Sequence, residues 1–292
     1  MQYKKIFYWA SDFSLTSGEG RLARLFIKHH NKKKNIYSKI SLPKLKLLNY
    51  KYVSPLVGII YGWVYFFRKK NFLYINYLPL WNFIIFLLLP PKSLIGPITG
   101  GAKFSKYSDD YFIRKFIFPI LYFLSNLILK FRFDDLVFST ELLRNKLLFG
   151  IKKKSKFNFV FYAIKKRKIN KKKNQLIDFL IYYRKHKNKK YLFLDDFIKK
   201  LINNKYSIHI IGDRLNINGV KNHGTITNKK VLKLLENTKY SIVSNENLYS
   251  FFTIDCINNG VKILVNYKIF NSIKYFKKNF IKYNFNSKKI NF

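Results

Sequence analysis

Short apolar runs of strand length alternate with helix-length segments along most of this chain, which restricts it to an α/β architecture on mostly parallel sheets. Residues 5–10 make the first run, ahead of a small-residue loop at 14–20 and a helix at 21–30. The spacing then predicts strands at 72–78 and 93–96 around a helix at 81–89. A long helix from Tyr111, a short strand at 135–138 and a helix at 139–148 follow. Beyond a basic, low-complexity stretch the rhythm resumes, with strands at 177–182, 206–211, 222–226, 241–244 and 262–266. Helices at 191–201, 229–236 and 253–258 fall between them. This order predicts two successive doubly wound, Rossmann-like domains, 1–163 and 175–270. The basic linker 164–174 separates them, and 271–292 reads as a basic tail.

A length of 292 residues, 48% of them hydrophobic, is enough for two such cores. Three apolar stretches, 52–67, 72–90 and 111–129, approach the length of about 20 residues that a membrane-spanning helix needs. Pro55, Gly58 and Gly62 interrupt the first, Pro79 and Asn82 the second, and Arg114, Lys115, Pro119 and Asn126 the third. All three are therefore expected to be buried α/β elements rather than spans. The apolar run after Lys4-Lys5 ends at Ser11-Asp12, too short for a secretory signal, so the cytoplasm or the inner face of the cytoplasmic membrane is expected.

The lone cysteine, Cys256, excludes an intrachain disulfide and cysteine metal clusters, and the histidines lack metal-ligand spacing. The 57 Lys and Arg against 14 Asp and Glu leave a net charge of +43, which suits nucleic acid, an anionic membrane surface or a polyanionic substrate. Lys, Asn, Ile, Phe and Tyr are all abundant and all have AT-rich codons, so codon bias competes with these readings. No RNP-type, helix-turn-helix or zinc motif backs a specific nucleic-acid partner. Apolar helices flanked by lysines suit a protein resting on an anionic bilayer.

The stretch with most chemistry is Ser244-Asn-Glu-Asn-Leu-Tyr-Ser-Phe-Phe-Thr-Ile-Asp255, between the apolar strand ending at Val243 and Gly260. A polar, acidic turn at a strand's carboxyl end suits a nucleotide-sugar site. The helix N-terminus can hold a diphosphate, and Asp255 can accept from ribose hydroxyls. Upstream come Arg184 and, five residues on, Lys189; then Ile208-His-Ile-Ile-Gly212, ending in glycine; then His223-Gly-Thr-Ile-Thr227 before a helix.

These four pieces, in this order, resemble the retaining glycosyltransferases of the GT-B fold, family 4-like, most strongly across 177–265. The resemblance implies two Rossmann-like domains with a shortened C-terminal region and a metal-independent hexosyl transfer from an NDP-sugar. It implies no cofactor. In catalysis Arg184 and Lys189 would neutralise the departing diphosphate and Glu246 would bind the transferred sugar. Thr225, Ile226 and Thr227 would flank the base, and Asn247, Tyr249, Ser250, Phe251 and Asp255 would complete the donor site. Asp255 takes the second acidic position of the family's Glu-x7-Glu motif; the first falls on Asn247, with Glu246 one residue early and Ser250 where glycine is usual. Gly18, Glu19 and Gly20, with Gly100 and Gly101, match the acceptor-side loops. The resemblance and the basic, aromatic first domain suggest a glycan or lipid-linked acceptor, as in lipopolysaccharide, O-antigen or capsule biosynthesis. An inactive relative held at a membrane surface is the alternative.

Overall fold

β1 (Lys5–Ala10) buries side chains on both of its faces, as a central strand of a parallel sheet covered by helices must. It belongs to a computed structural model that describes residues 5–31, 36–40, 50–76, 78–100, 110–165, 176–185, 194–243, 247–287 and 290. The described residues divide into two compact units, one up to residue 162 and the other from 163 onward.

In the first unit β1 pairs in parallel with β2 (Ile36–Lys39) and β3 (Asn71–Ile75), and β3 with β4 (Leu94–Ile95). The ladder continues through a parallel bridge from Ile98 to Phe138, just after β5 (Leu136–Val137), which pairs with β6 (Ser155–Lys156). The order β2-β1-β3-β4-β5-β6 reverses direction between β1 and β3. α1 (Gly18–Asn31) leads from β1 to β2. The later crossovers all run in the opposite direction. Right-handed connection therefore puts α2 (Tyr50–Phe67), α3 (Phe83–Leu88) and α4 (Phe118–Arg132) together on the other face.

Gly58 brings α2 close to the sheet, since a Cβ there would overlap the Trp9 ring. The helix from Tyr111 begins with a π-helical turn, Ile113–Ile117, and runs on as α4. Pro119 has no N–H to return to the preceding turn, which accounts for the wider winding there. Lys154 caps the far end of α4: its Nζ donates to the carbonyls of Leu129 at 2.8 Å, Lys130 at 3.0 Å and Phe133. Among the described residues no helix is long and apolar enough to cross a membrane.

The second unit is one parallel sheet, ordered β9 (Val220–Asn222), β8 (Ile208–Gly212), β7 (Ile177–Tyr183), β10 (Thr238–Ile242), β11 (Lys262–Asn266), β12 (Phe280–Tyr283). Counted from β7 this is the Rossmann order 3-2-1-4-5-6. α6 (Leu194–Asn203) packs Phe197, Ile198 and Leu201 against Phe179, Ile208 and Ile210. The α/β class and the two Rossmann-like sheets are therefore those the alternation predicts.

Several local readings change, and the strand expected at 222–226 is β9, at Val220–Asn222. The helix expected at 139–148 is a 3-10 turn at Arg144–Lys146, with a short helix, α5 (Phe149–Lys153), after it. Ser139 donates to Ile98 O at 2.9 Å and Glu141 N donates to Asn158 Oδ1 at 3.0 Å, so this backbone serves the sheet edge instead. Within the tail expected at 271–292 the described residues form a strand: β12 pairs with β11, and Tyr283 packs edge-on against Phe197 and Phe285. Helix α1 starts at Gly18 rather than Arg21. Of the expected linker only Ile164 and Lys165 lie within the described residues.

Candidate functional site

The crevice lies within the second unit, at the carboxyl ends of β7 and β10. From β7 the chain turns towards β8, and from β10 towards β11, so the two loops part and leave an opening between adjacent strands.

One lip is the end of β7. Arg184 and Lys185 follow Tyr183 and are exposed. Asp213 fixes this turn from β8: its backbone N–H donates to Tyr183 O at 2.9 Å, and its carboxylate accepts from Lys185 N at 2.6 Å. The reciprocal pair brackets Arg184. Gly212 makes the approach possible. Its φ is +101°, and a Cβ would overlap the Tyr183 carbonyl oxygen. Burial pushes the Tyr182 hydroxyl above its ordinary pKa, against the opposing pull of Arg184; Asp213 adds to the rise.

The other lip is the turn into α8 (Phe251–Asn258). Ser250 is its N-cap, accepting from Thr253 N at 3.2 Å. Asn247 folds its Oδ1 back onto Tyr249 N at 3.2 Å. Tyr249 is buried, and its hydroxyl is fastened to the backbone N–H of Tyr275 at 3.0 Å and the carbonyl of Tyr275 at 3.2 Å. The Phe252 ring lies 5.7 Å from that of Tyr182, joining the two lips. A cationic strand end thus faces the positive pole of a helix, an arrangement that favours an anion.

Asp255, assigned from the sequence to ribose hydroxyls, is only 2% exposed, and its Oδ2 accepts from Asn228 Nδ2 at 3.0 Å. Its carboxylate joins α8 to the first residue of α7 (Asn228–Leu235). Thr225, Ile226 and Thr227 lead into that helix and are tied to α8 through this bond. Lys189 and Glu246 lie outside the described residues. Burial pushes the Cys256 thiol up, as suits a core residue.

In the first unit the loop after β1 is equally well fastened. Asp12 accepts from the Ser17 hydroxyl and, at 2.8 Å, from Ser14 N. Burial raises its pKa, but the Ser17 and Ser14 hydrogen bonds and the Arg24 charge together carry it below its ordinary value. Asn76, at the end of β3, donates from Nδ2 to Asp12 O at 2.7 Å and Glu19 O at 3.3 Å. Gly18, Glu19 and Gly20 form the first turn of α1, with Gly20 N donating to Ser17 Oγ at 2.8 Å. Gly20 is required sterically, because a Cβ would overlap Ser14. Gly100, at φ +139°, follows Ile98 and Thr99, which bridge to Phe138 and Pro79, and Gly101 lies outside the described residues.

Sequence reasoning missed Asp213, Asn228, Asp12 and Asn76 as positioning groups. An Asn or Asp one or two residues past a strand, or opening a helix, is the available signal, but it also marks ordinary turns. Among the described residues no three His, Cys, Asp or Glu side chains gather to hold a metal ion.

No protein-family model matches this sequence, and no curated protein does. Solved structures with a similar fold include a UDP-GlcNAc 2-epimerase from Methanocaldococcus jannaschii in complex with UDP-GlcNAc and UDP. It is 12% identical over 90% of this chain and 83% of that one, with a TM-score of 0.49. An alpha-glucosyltransferase in complex with UDP and a 13-mer DNA is 10% identical over 89% and 79%, with a TM-score of 0.47. The E. coli heptosyltransferase WaaC with ADP is 6% identical over 90% and 87%, with a TM-score of 0.36. These likenesses concern the fold alone, and the architecture stands on the strand orders of this chain.

Proposed function

We propose that this chain is a glycosyltransferase that takes a sugar from an NDP-sugar donor seated at the β7–β10 crevice. The carrying observation is that Arg184, clamped by Asp213, and the N-terminus of α8 occupy the two lips of a Rossmann switch point. In the transfer, the bond from the anomeric carbon to the diphosphate oxygen breaks as the acceptor hydroxyl bonds to that carbon. The hydroxyl proton passes to the departing phosphate oxygen. Arg184, with Lys189, offsets the charge that develops on the diphosphate.

Retention of configuration, independence of metal, the role of Glu246 on the sugar and the placing of the base by Thr225–Thr227 rest on the resemblance to retaining GT-B enzymes. So does the acceptor, a glycan or lipid-linked molecule of cell-surface polysaccharide assembly, worked on at the inner face of the cytoplasmic membrane. Asp255 acts in this reading by holding α7 and α8 together behind the donor.

A thermal-shift panel of UDP, GDP, ADP, CMP and dTDP tests the donor site. One diphosphate is expected to raise the melting temperature of the full chain, and Arg184→Ala is expected to remove the rise. One observation favours a second reading, an inactive relative: Asn247 and Asp255 already spend their side chains within the protein. A flat panel on folded protein selects that reading.

A further inference from the structure

The outward side of the helical layer on the first unit is apolar where solvent would favour polar residues. On the helix from Tyr111, the residues Phe112, Phe116, Ile120 and Phe123 follow one another at helical spacing. The first three are 73%, 53% and 62% exposed. They stand opposite Tyr122, Asn126 and Leu129, which face the core, so this helix is apolar on both sides. Ile84 and Leu87 of α3 are exposed beside it, and Leu56 and Ile60 of α2 beyond. Contacts join the three helices: Trp81, just before α3, stacks on Phe118 of α4 at 5.6 Å, and Trp63 Nε1 of α2 donates to Leu88 O of α3 at 2.8 Å. A patch spread over three helices is more than scattered surface leucines require.

Charge names what covers it. No Asp or Glu occurs between Glu19 and Asp109, nor from Tyr111 to Phe133, a span that includes all three helices. Arg68, Lys69 and Lys70 follow α2, and exposed Lys115 and Lys130 lie on the helix from Tyr111. A second copy placed face to face would bring these cations together with no carboxylate to offset them. Lipid phosphates offset them directly.

We propose that the α2–α3–α4 face lies flat on an anionic bilayer, with Phe112, Phe116 and Ile120 at the boundary of headgroups and acyl chains. Among the described residues no helix is long and apolar enough to span. This extends the membrane side of the proposed function but does not depend on sugar transfer, so a flat diphosphate panel leaves it intact.

The test is flotation of the full chain with vesicles of equal parts phosphatidylglycerol and phosphatidylcholine, and with phosphatidylcholine alone. The wild type is expected to float with the anionic vesicles and to bind the neutral ones at least about tenfold more weakly. Combining Phe112→Ser, Phe116→Ser and Ile120→Ser should cut anionic binding by about tenfold or more, with an unchanged melting temperature because all three side chains are exposed. Brominated lipid should quench Trp81, and Trp81→Phe should remove that quenching. Undiminished flotation of the triple variant, equal binding to neutral vesicles, or a lipid-free dimer that the triple variant separates into monomers would each overturn the proposal.

Discussion

Asp255 on α8 accepts a hydrogen bond from Asn228 Nδ2 on α7, 3.0 Å away, and this bond fixes the segment carrying Thr225–Thr227 against the helix behind the crevice. Removing the acceptor leaves a half-buried amide without that partner. Asp255→Ala is expected to cost about 1–3 kcal/mol of stability in urea denaturation. Measured well below its melting temperature, the variant should also bind the selected diphosphate more weakly. Wild-type stability in the variant would remove the Asp255–Asn228 bond from this account.

At the opposite lip, Gly212 has φ +101° and sits against the Tyr183 carbonyl. Gly212→Ala adds both backbone strain and an overlap, so a loss of about 2 kcal/mol or more is expected. Because the same turn presents Arg184, diphosphate affinity should fall with it, which calorimetry on the folded variant would read. A variant as stable as wild type would mean the turn is free to shift.

His209 and His223 meet with ring nitrogens 3.1 Å apart. Burial, followed by the charges of His223 and Lys221, holds His209 at about 4 instead of its ordinary 6.5. Between those values the unfolded chain binds a proton at His209 that the folded chain does not. Its contribution is thus complete above pH 6.5 and is lost as pH falls towards 4. Melting temperature should drop across this window, and His209→Gln should flatten the drop. Parallel profiles for the two proteins would count against the assignment.

Asn76 joins β3 to the loop after β1 by bonds to Asp12 O and Glu19 O, from a backbone φ of +68°. Asn tolerates that conformation better than residues with an ordinary side chain. Asn76→Ala should therefore destabilise the protein by about 1–3 kcal/mol. Hydrogen exchange should quicken in α1, whose first turn this amide holds. Unchanged exchange there would show that the Ser17 cap suffices alone.

Much of the architecture was legible because buried parallel strands need continuous apolar runs: Lys5–Ala10 and Ile177–Tyr183 appear almost where their residues place them. β12 was hidden because Phe280-Ile-Lys-Tyr283 sits among lysines and asparagines, and only its neighbours, β11 and Phe197, reveal which side is buried. The helix expected at 139–148 failed for the converse reason, as local propensity gave way to sheet contacts made by Ser139 and Glu141.

The sequence by itself determined the parallel α/β class and the polar turn leading into α8, since apolar runs and a capping serine act over a few residues. Only the tertiary structure decided which carboxylates face the crevice and which hold it together. Asp213 fixes the turn that carries Arg184, and Asp255 turns inward to Asn228. Both outcomes depend on partners 27 or 28 positions away. Buried Asp255 must find a donor and exposed Asp213 meets one at the end of the next strand, and only the packing of the strands and helices brings either donor within reach.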